Sequence, residues 1–120
     1  LGTAEIYSEV EKFHEVKEAV VVGQSWDNDI RIVLFIIMNK NYAINDNLLK
    51  KIKQQIKKNA SPRHVPKKII VVNDIPKTKS GKVVELAVKN IIEGSKIKNK
   101  EALVNPGILD EYKNLSELKY

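Results

Sequence analysis

Three lysines crowd the stretch Pro76-Lys77-Thr78-Lys79-Ser80-Gly81-Lys82-Val83-Val84. Such a loop could face an anion, and phosphate binding is the first reading to test. Ser80-Gly81-Lys82 has the ending of a phosphate-binding P-loop. That motif needs a glycine five residues before its second glycine and a Ser or Thr after its lysine, so that amides wrap the phosphates and a hydroxyl meets Mg²⁺. Pro76 and Val83 occupy those positions, which excludes it. Two readings remain: a hairpin presenting Lys82 with Lys77 and Lys79 beside it, or a solvated, lysine-decorated turn.

The element that must position this loop is the apolar run Ile69-Ile70-Val71-Val72, whose β-branched side chains predict a buried strand. Pro76 fixes its own φ, Gly81 permits a left-handed backbone, and Thr78 and Ser80 can tie the loop to its own amides. These four residues position the loop, which holds Lys82 in one place.

At 120 residues the chain is expected to form one domain, with a core over residues 1–112 and a loosely held tail over 113–120. With 42% hydrophobic and 30% charged residues the composition is that of an ordinary globular protein. Its longest apolar run, Ile32 to Met38, suits a strand and falls short of the roughly 20 residues of a membrane span. Cysteine is absent, which excludes disulfides and thiolate metal sites. Asp27 and Asp29 lack the ligand series and distal glutamate of a calcium-binding loop. No metal site, no membrane association and a cytoplasmic location are expected.

The net charge of +6 is concentrated in residues 50–100, which carry fifteen basic and three acidic side chains. That block holds no aromatic residue to stack on a base and one arginine, Arg63, for base reading. A small phosphorylated ligand suits it better than nucleic acid.

In chain order, Ile6, Val10 and Phe13 predict an amphipathic helix over 4–14 with Thr3 as N-cap and His14 as a surface residue. Strands follow at 19–22, closed by Gly23, and at 30–38. Ser25 to Asp29 joins them as an antiparallel hairpin turn, with Trp26 covering an edge of the core. Asn45 or Asp46 caps a helix to Asn59 whose buried stripe is Leu48, Leu49, Ile52 and Ile56. Lys50, Lys53 and Lys57 project from its other side. The prolines of Ala60 to Pro66 predict a stiff, non-helical connector, with Arg63 and His64 as positioning residues. After the lysine loop, Val84, Val88 and Ile91 predict a helix ended by Gly94, and Asn105-Pro106 starts a last short helix or turn. The fold class is therefore α+β: a small antiparallel or mixed sheet of about three strands, including a hairpin, packed with helices.

In this order the chain resembles the small C-terminal domain of the adenylate-forming acyl-CoA synthetases. The resemblance rests on Pro-Lys-Thr-x-Ser-Gly-Lys-Val at 76–83, in register with the strand before it and with the opening Leu1-Gly2-Thr3-Ala4-Glu5-Ile6. A finer resemblance is to the acetoacetate-activating subgroup, through Ser61 to Pro66, through Gly81 to Glu85 continuing into Ala87-Val88-Lys89, and through Asn105-Pro106 with Leu109.

The resemblance implies a ligase of lipid and fatty acid metabolism that makes an acyl-adenylate from a carboxylic acid and ATP, then passes the acyl group to CoA. Mg²⁺ would arrive with the nucleotide, and the small domain would rotate between steps as a catalytic lid, inactive alone. Its partner would be its own N-terminal ATP- and acyl-binding domain, outside the chain described here. Lys82 would be the adenylation lysine, and a lysine acetyltransferase and deacetylase could regulate it. The backbone around Gly2 and Thr3 would face the active site in the thioester-forming pose, and Lys53 would approach the CoA nucleotide. The competing reading is a non-enzymatic basic module for an anionic partner.

Overall fold

The computed structural model describes residues 2–120; Leu1 of the opening lies outside them. A three-stranded mixed sheet organises the chain, in the order β1 (Val16–Trp26), β2 (Asp29–Met38), β3 (Lys68–Val71). β1 and β2 pair antiparallel and β3 pairs parallel to β2. The α+β class expected from the sequence is the one observed.

The central strand β2 is buried on both faces from Ile32 to Ile37, so its apolar residues feed two cores alternately. Val33, Phe35 and Ile37 join Val20, Val22 and Ile70 on one side, under Val88, Tyr112 and Leu118. Ile32, Leu34 and Ile36 join Val21 on the other, under α1 (Ala4–Val10) and α2 (Asp46–Asn59), through Ile6, Val10, Leu48, Ile52 and Ile56. Asn45 caps α2, its side chain accepting from the Leu48 amide at 2.8 Å. The third helix, α3 (Glu85–Ile92), packs on the first face with the C-terminal segment.

Several boundaries differ from those the sequence suggests. α1 ends at Val10 instead of His14, because Lys12 and Phe13 donate to the third residue back and tighten the chain into turns. Thr3 takes the N-cap position without a side-chain bond; its carbonyl accepts from Ile6 and Tyr7. β1 runs from Val16 through Gly23 to Trp26. A Cβ at Gly23 would lie 2.7 Å from the Ile30 side chain, so this glycine permits close cross-strand contact and does not end the strand. Asp27 and Asn28, both left-handed at φ 51° and 59°, make the tight hairpin turn. Trp26 is half-buried with the Arg31 guanidinium 3.7 Å above its ring. The proline connector holds one 3-10 turn, Pro62–His64, which Pro62 suits because its φ is already set.

The tail from Lys113 is docked, contrary to the loose segment expected. Leu118 is 6% exposed, in the core shared with Val20, Val33 and Ile70. Arg31 donates to the carbonyls of Leu118 and Tyr120 at 3.1 and 2.8 Å, Gln24 donates to Leu118, and the Lys68 ammonium lies 3.5 Å from the Tyr120 ring centre.

Candidate functional site

The lysine loop is a hairpin. Lys77 and Val83 bridge antiparallel, the Thr78 amide donates to the Lys82 carbonyl at 2.8 Å, and the Val84 amide donates to Pro76 at 2.9 Å. At the tip the Gly81 amide donates to Thr78 at 2.9 Å, and Gly81 itself sits at φ 87°, where a residue with a Cβ would be strained. The Thr78 hydroxyl accepts from the Lys82 amide at 3.2 Å and lies 3.0 Å from the Ser80 hydroxyl. Thr78 thus ties the loop as expected, while Ser80 bonds to Thr78 instead of an amide. Since the Thr78, Gly81 and Lys82 amides are all engaged within the loop, they form no open amide cradle for phosphate. The charge is what the loop offers.

The three lysines differ. Lys77 is half-buried and paired with Glu18 of β1. Lys79 and Lys82 are exposed, and among the described residues neither forms an ion pair. The loop root is bound to groups that no local pattern reveals. The Asn105 side chain accepts from the Lys77 amide at 3.0 Å and donates to the Asp74 carboxylate and the Ile75 carbonyl at 3.1 and 2.8 Å. The Tyr112 hydroxyl donates to the Asp74 carbonyl, Val104 donates to Lys77, and Thr78 bridges Leu103. Burial acts to raise the Asp74 pKa, but hydrogen bonds from Asn105 and the Ile75 amide, with Lys77 and Lys17 nearby, hold it below the usual carboxylate range. Burial, with the charges of Glu111 and Asp74, pushes the Tyr112 phenol well up.

Gly2 and Thr3 lie at the opening of α1. α1 is joined to the lysine-loop side of the sheet by Tyr7, whose hydroxyl donates to Glu85 at the start of α3 and accepts from the Val21 amide at 2.9 Å. Burial and the Glu85 hydrogen bond push that phenol far above its ordinary value. Lys53 is elsewhere: it projects from α2, on the opposite side of the sheet, into a shallow groove lined by Lys57, Pro62, Val65, Pro66 and Lys67. His64 accepts or donates a 2.6 Å bond with Ser61, so its ring braces the connector; His14 is exposed. Among the described residues no group of three or more His, Cys, Asp or Glu side chains could hold a metal ion. No helix among them is long and apolar enough to cross a membrane.

Comparison with known proteins identifies the family and the fold. The family model described as the AMP-binding enzyme C-terminal domain matches residues 5–82, ending on Lys82. The acetoacetyl-coenzyme A synthetase of Rhizobium meliloti (strain 1021) is 53% identical over 119 residues, covering 99% of this chain and 18% of that protein. The acetoacetyl-CoA synthetase of Gallus gallus is 42% identical, covering 98% of this chain and 18% of that protein. The solved acetoacetyl-CoA synthetase from Streptomyces lividans superimposes with a TM-score of 0.87 at 33% identity, covering all of this chain and 18% of that one. The chain thus spans less than a fifth of the length of the curated relatives it matches.

Proposed function

The chain belongs to the AMP-binding enzyme C-terminal domain family, and we propose that it is the mobile lid of an AMP-forming ligase that joins acetoacetate to CoA. In this reading a large N-terminal domain binds the acid and ATP. A carboxylate oxygen attacks the α-phosphorus, pyrophosphate leaves, and the CoA thiol then displaces AMP from the acyl-adenylate.

The observation that best supports this reading is Lys82, an exposed ammonium with no ion-pair partner among the described residues, on a loop whose backbone is tied at tip and root. Attack of one anion on another requires the repulsion to be offset and the charge growing on the phosphoryl oxygens to be met by a fixed donor. Lys82 would supply that donor, and Pro76, Thr78, Ser80 and Gly81 would keep it in place. Lys77, paired with Glu18, would hold the loop to β1 and leave the reacting charge to Lys82.

Gly2 and Thr3 would face the active site when the lid turns for thioester formation, and Lys53, with Lys57 and Lys67 around its groove, would meet CoA phosphates. Having Lys82 and Lys53 on opposite sides of the sheet suits a lid that uses two poses. Mg²⁺ would travel with the nucleotide.

The test is a product assay on the full-length protein. Acetoacetate, ATP and CoA should give acetoacetyl-CoA, AMP and pyrophosphate. Release of ADP, or an unchanged rate when acetoacetate is omitted, would overturn the reading.

A further inference from the structure

The run of chain leading to Lys82 is gripped from two sides. The return arm of the hairpin holds one edge: the Val84 amide donates to the Pro76 carbonyl, and the Lys82 carbonyl accepts from the Thr78 amide. Residues 104–112 hold the other. The Asn73 amide donates to Glu111 at 2.9 Å, the Asp74 carbonyl accepts from Tyr112, the Ile75 carbonyl accepts from Asn105, and the Lys77 amide and carbonyl bond Asn105 and Val104. Pro76 in the middle of this run has no N–H, so no backbone ladder can be continuous here. One side-chain amide bridges the gap.

Asn105 does so with both ends of its amide. Its oxygen takes the Lys77 N–H after the proline, and its NH₂ meets the Ile75 carbonyl before it and the Asp74 carboxylate beside it. Aspartate here would set one carboxylate against another. Alanine would leave a half-buried amide and carbonyl without partners. The family-wide match ends at Lys82, so this brace comes from a stretch beyond it.

We propose that Asn105 is a positioning residue for Lys82: it fixes the root of the hairpin so that the ammonium at the tip meets its target in one place, with Tyr112 as second anchor. This rests on the reading of Lys82 as the adenylation lysine. Displacing a reacting group by about 1 Å can cost about 100-fold in rate, so a brace far from the chemistry acts on kcat.

The experiment uses the full-length enzyme and measures two steps separately, ATP–pyrophosphate exchange and thioester formation from supplied acyl-adenylate and CoA. Asn105→Ala should lower kcat for the first step roughly 10- to 100-fold with little change in the KM for ATP, and leave the second within about twofold. Tyr112→Phe, which keeps the ring packed edge-on against Phe35, should show a smaller loss confined to the same step. On a Lys82→Ala background, Asn105→Ala should add nothing, because it acts through the lysine.

Equal losses in both steps for Asn105→Ala would make it a residue of stability alone and overturn the proposal. Should that variant not fold, Tyr112→Phe decides: an unaltered first step overturns the brace. If Lys82→Ala cripples exchange while the Asn105 and Tyr112 variants run normally, the brace falls and the lysine reading stands. If Lys82→Ala leaves exchange intact, the lysine reading itself falls.

Discussion

Lys82 was legible as a candidate because residue type, spacing and turn chemistry coincide in one short stretch. Threonine and a left-handed glycine each perform the local task their chemistry predicts. Asn105 was not legible. Its sequence neighbourhood announces a turn, while its role comes from hydrogen bonds to residues 28 to 31 positions earlier, which no periodicity encodes. A prediction at this scale concerns charge. Acetylation of Lys82 keeps most of the arm but removes its ammonium. Full-length enzyme acetylated at that lysine alone should lose acyl-adenylate formation and regain it on enzymatic deacetylation. An unchanged rate of pyrophosphate exchange would show that the charge has no part in the step.

At the scale of elements, both cores follow from patterning. The continuous apolar runs of β1 (Val20 to Val22) and β2 produce a sheet apolar on two faces, and the helical stripes supply the covers. Misread boundaries have physical causes. Gly23 looks like a strand end but relieves a contact with Ile30, and residues 113–120 look like a polar tail but carry Leu118 into the core. Their docking depends on Arg31, which reaches two backbone carbonyls and stacks on Trp26, a tertiary arrangement invisible to local composition. Leu118→Ala should therefore destabilise the chain by about 2 to 3 kcal/mol, the lower part of the usual range for emptying a buried leucine site. A urea midpoint equal to that of the parent would mean the tail adds nothing to the core.

Across the whole molecule, carboxylates are anchored on each layer. Hydrogen bonds from Asn59 and Lys12 hold Glu9 below the usual range, and Lys113 does the same for Asp110. For Asp74 and Glu93 burial opposes the shift, but hydrogen bonds, from Asn105 and from Ser25 respectively, outweigh it. A carboxyl that titrates lower when folded contributes stability above its unfolded value, about pH 4, and that contribution disappears as pH falls through the folded value. Urea midpoints should thus be level near neutrality and drop steeply below about pH 4; a flat profile there would show these bonds to be equally strong in the unfolded chain. Tyr7 and Tyr112 are shifted the other way, so their contribution is present below about pH 10 and fades as pH rises beyond it.

In the proposed reading, the two lysine surfaces on opposite sides of the sheet would serve one lid in two poses, one reaction step for each. The most direct measurement is Lys82→Ala in the full-length enzyme with the two half-reactions assayed apart. Acyl-adenylate formation should fall by about 10² to 10³, the loss associated with removing one fixed transition-state donor, while thioester formation from supplied acyl-adenylate stays near the parent rate. Equal losses in both steps, or none in the first, would contradict an alternating lid that delivers Lys82 to the phosphate.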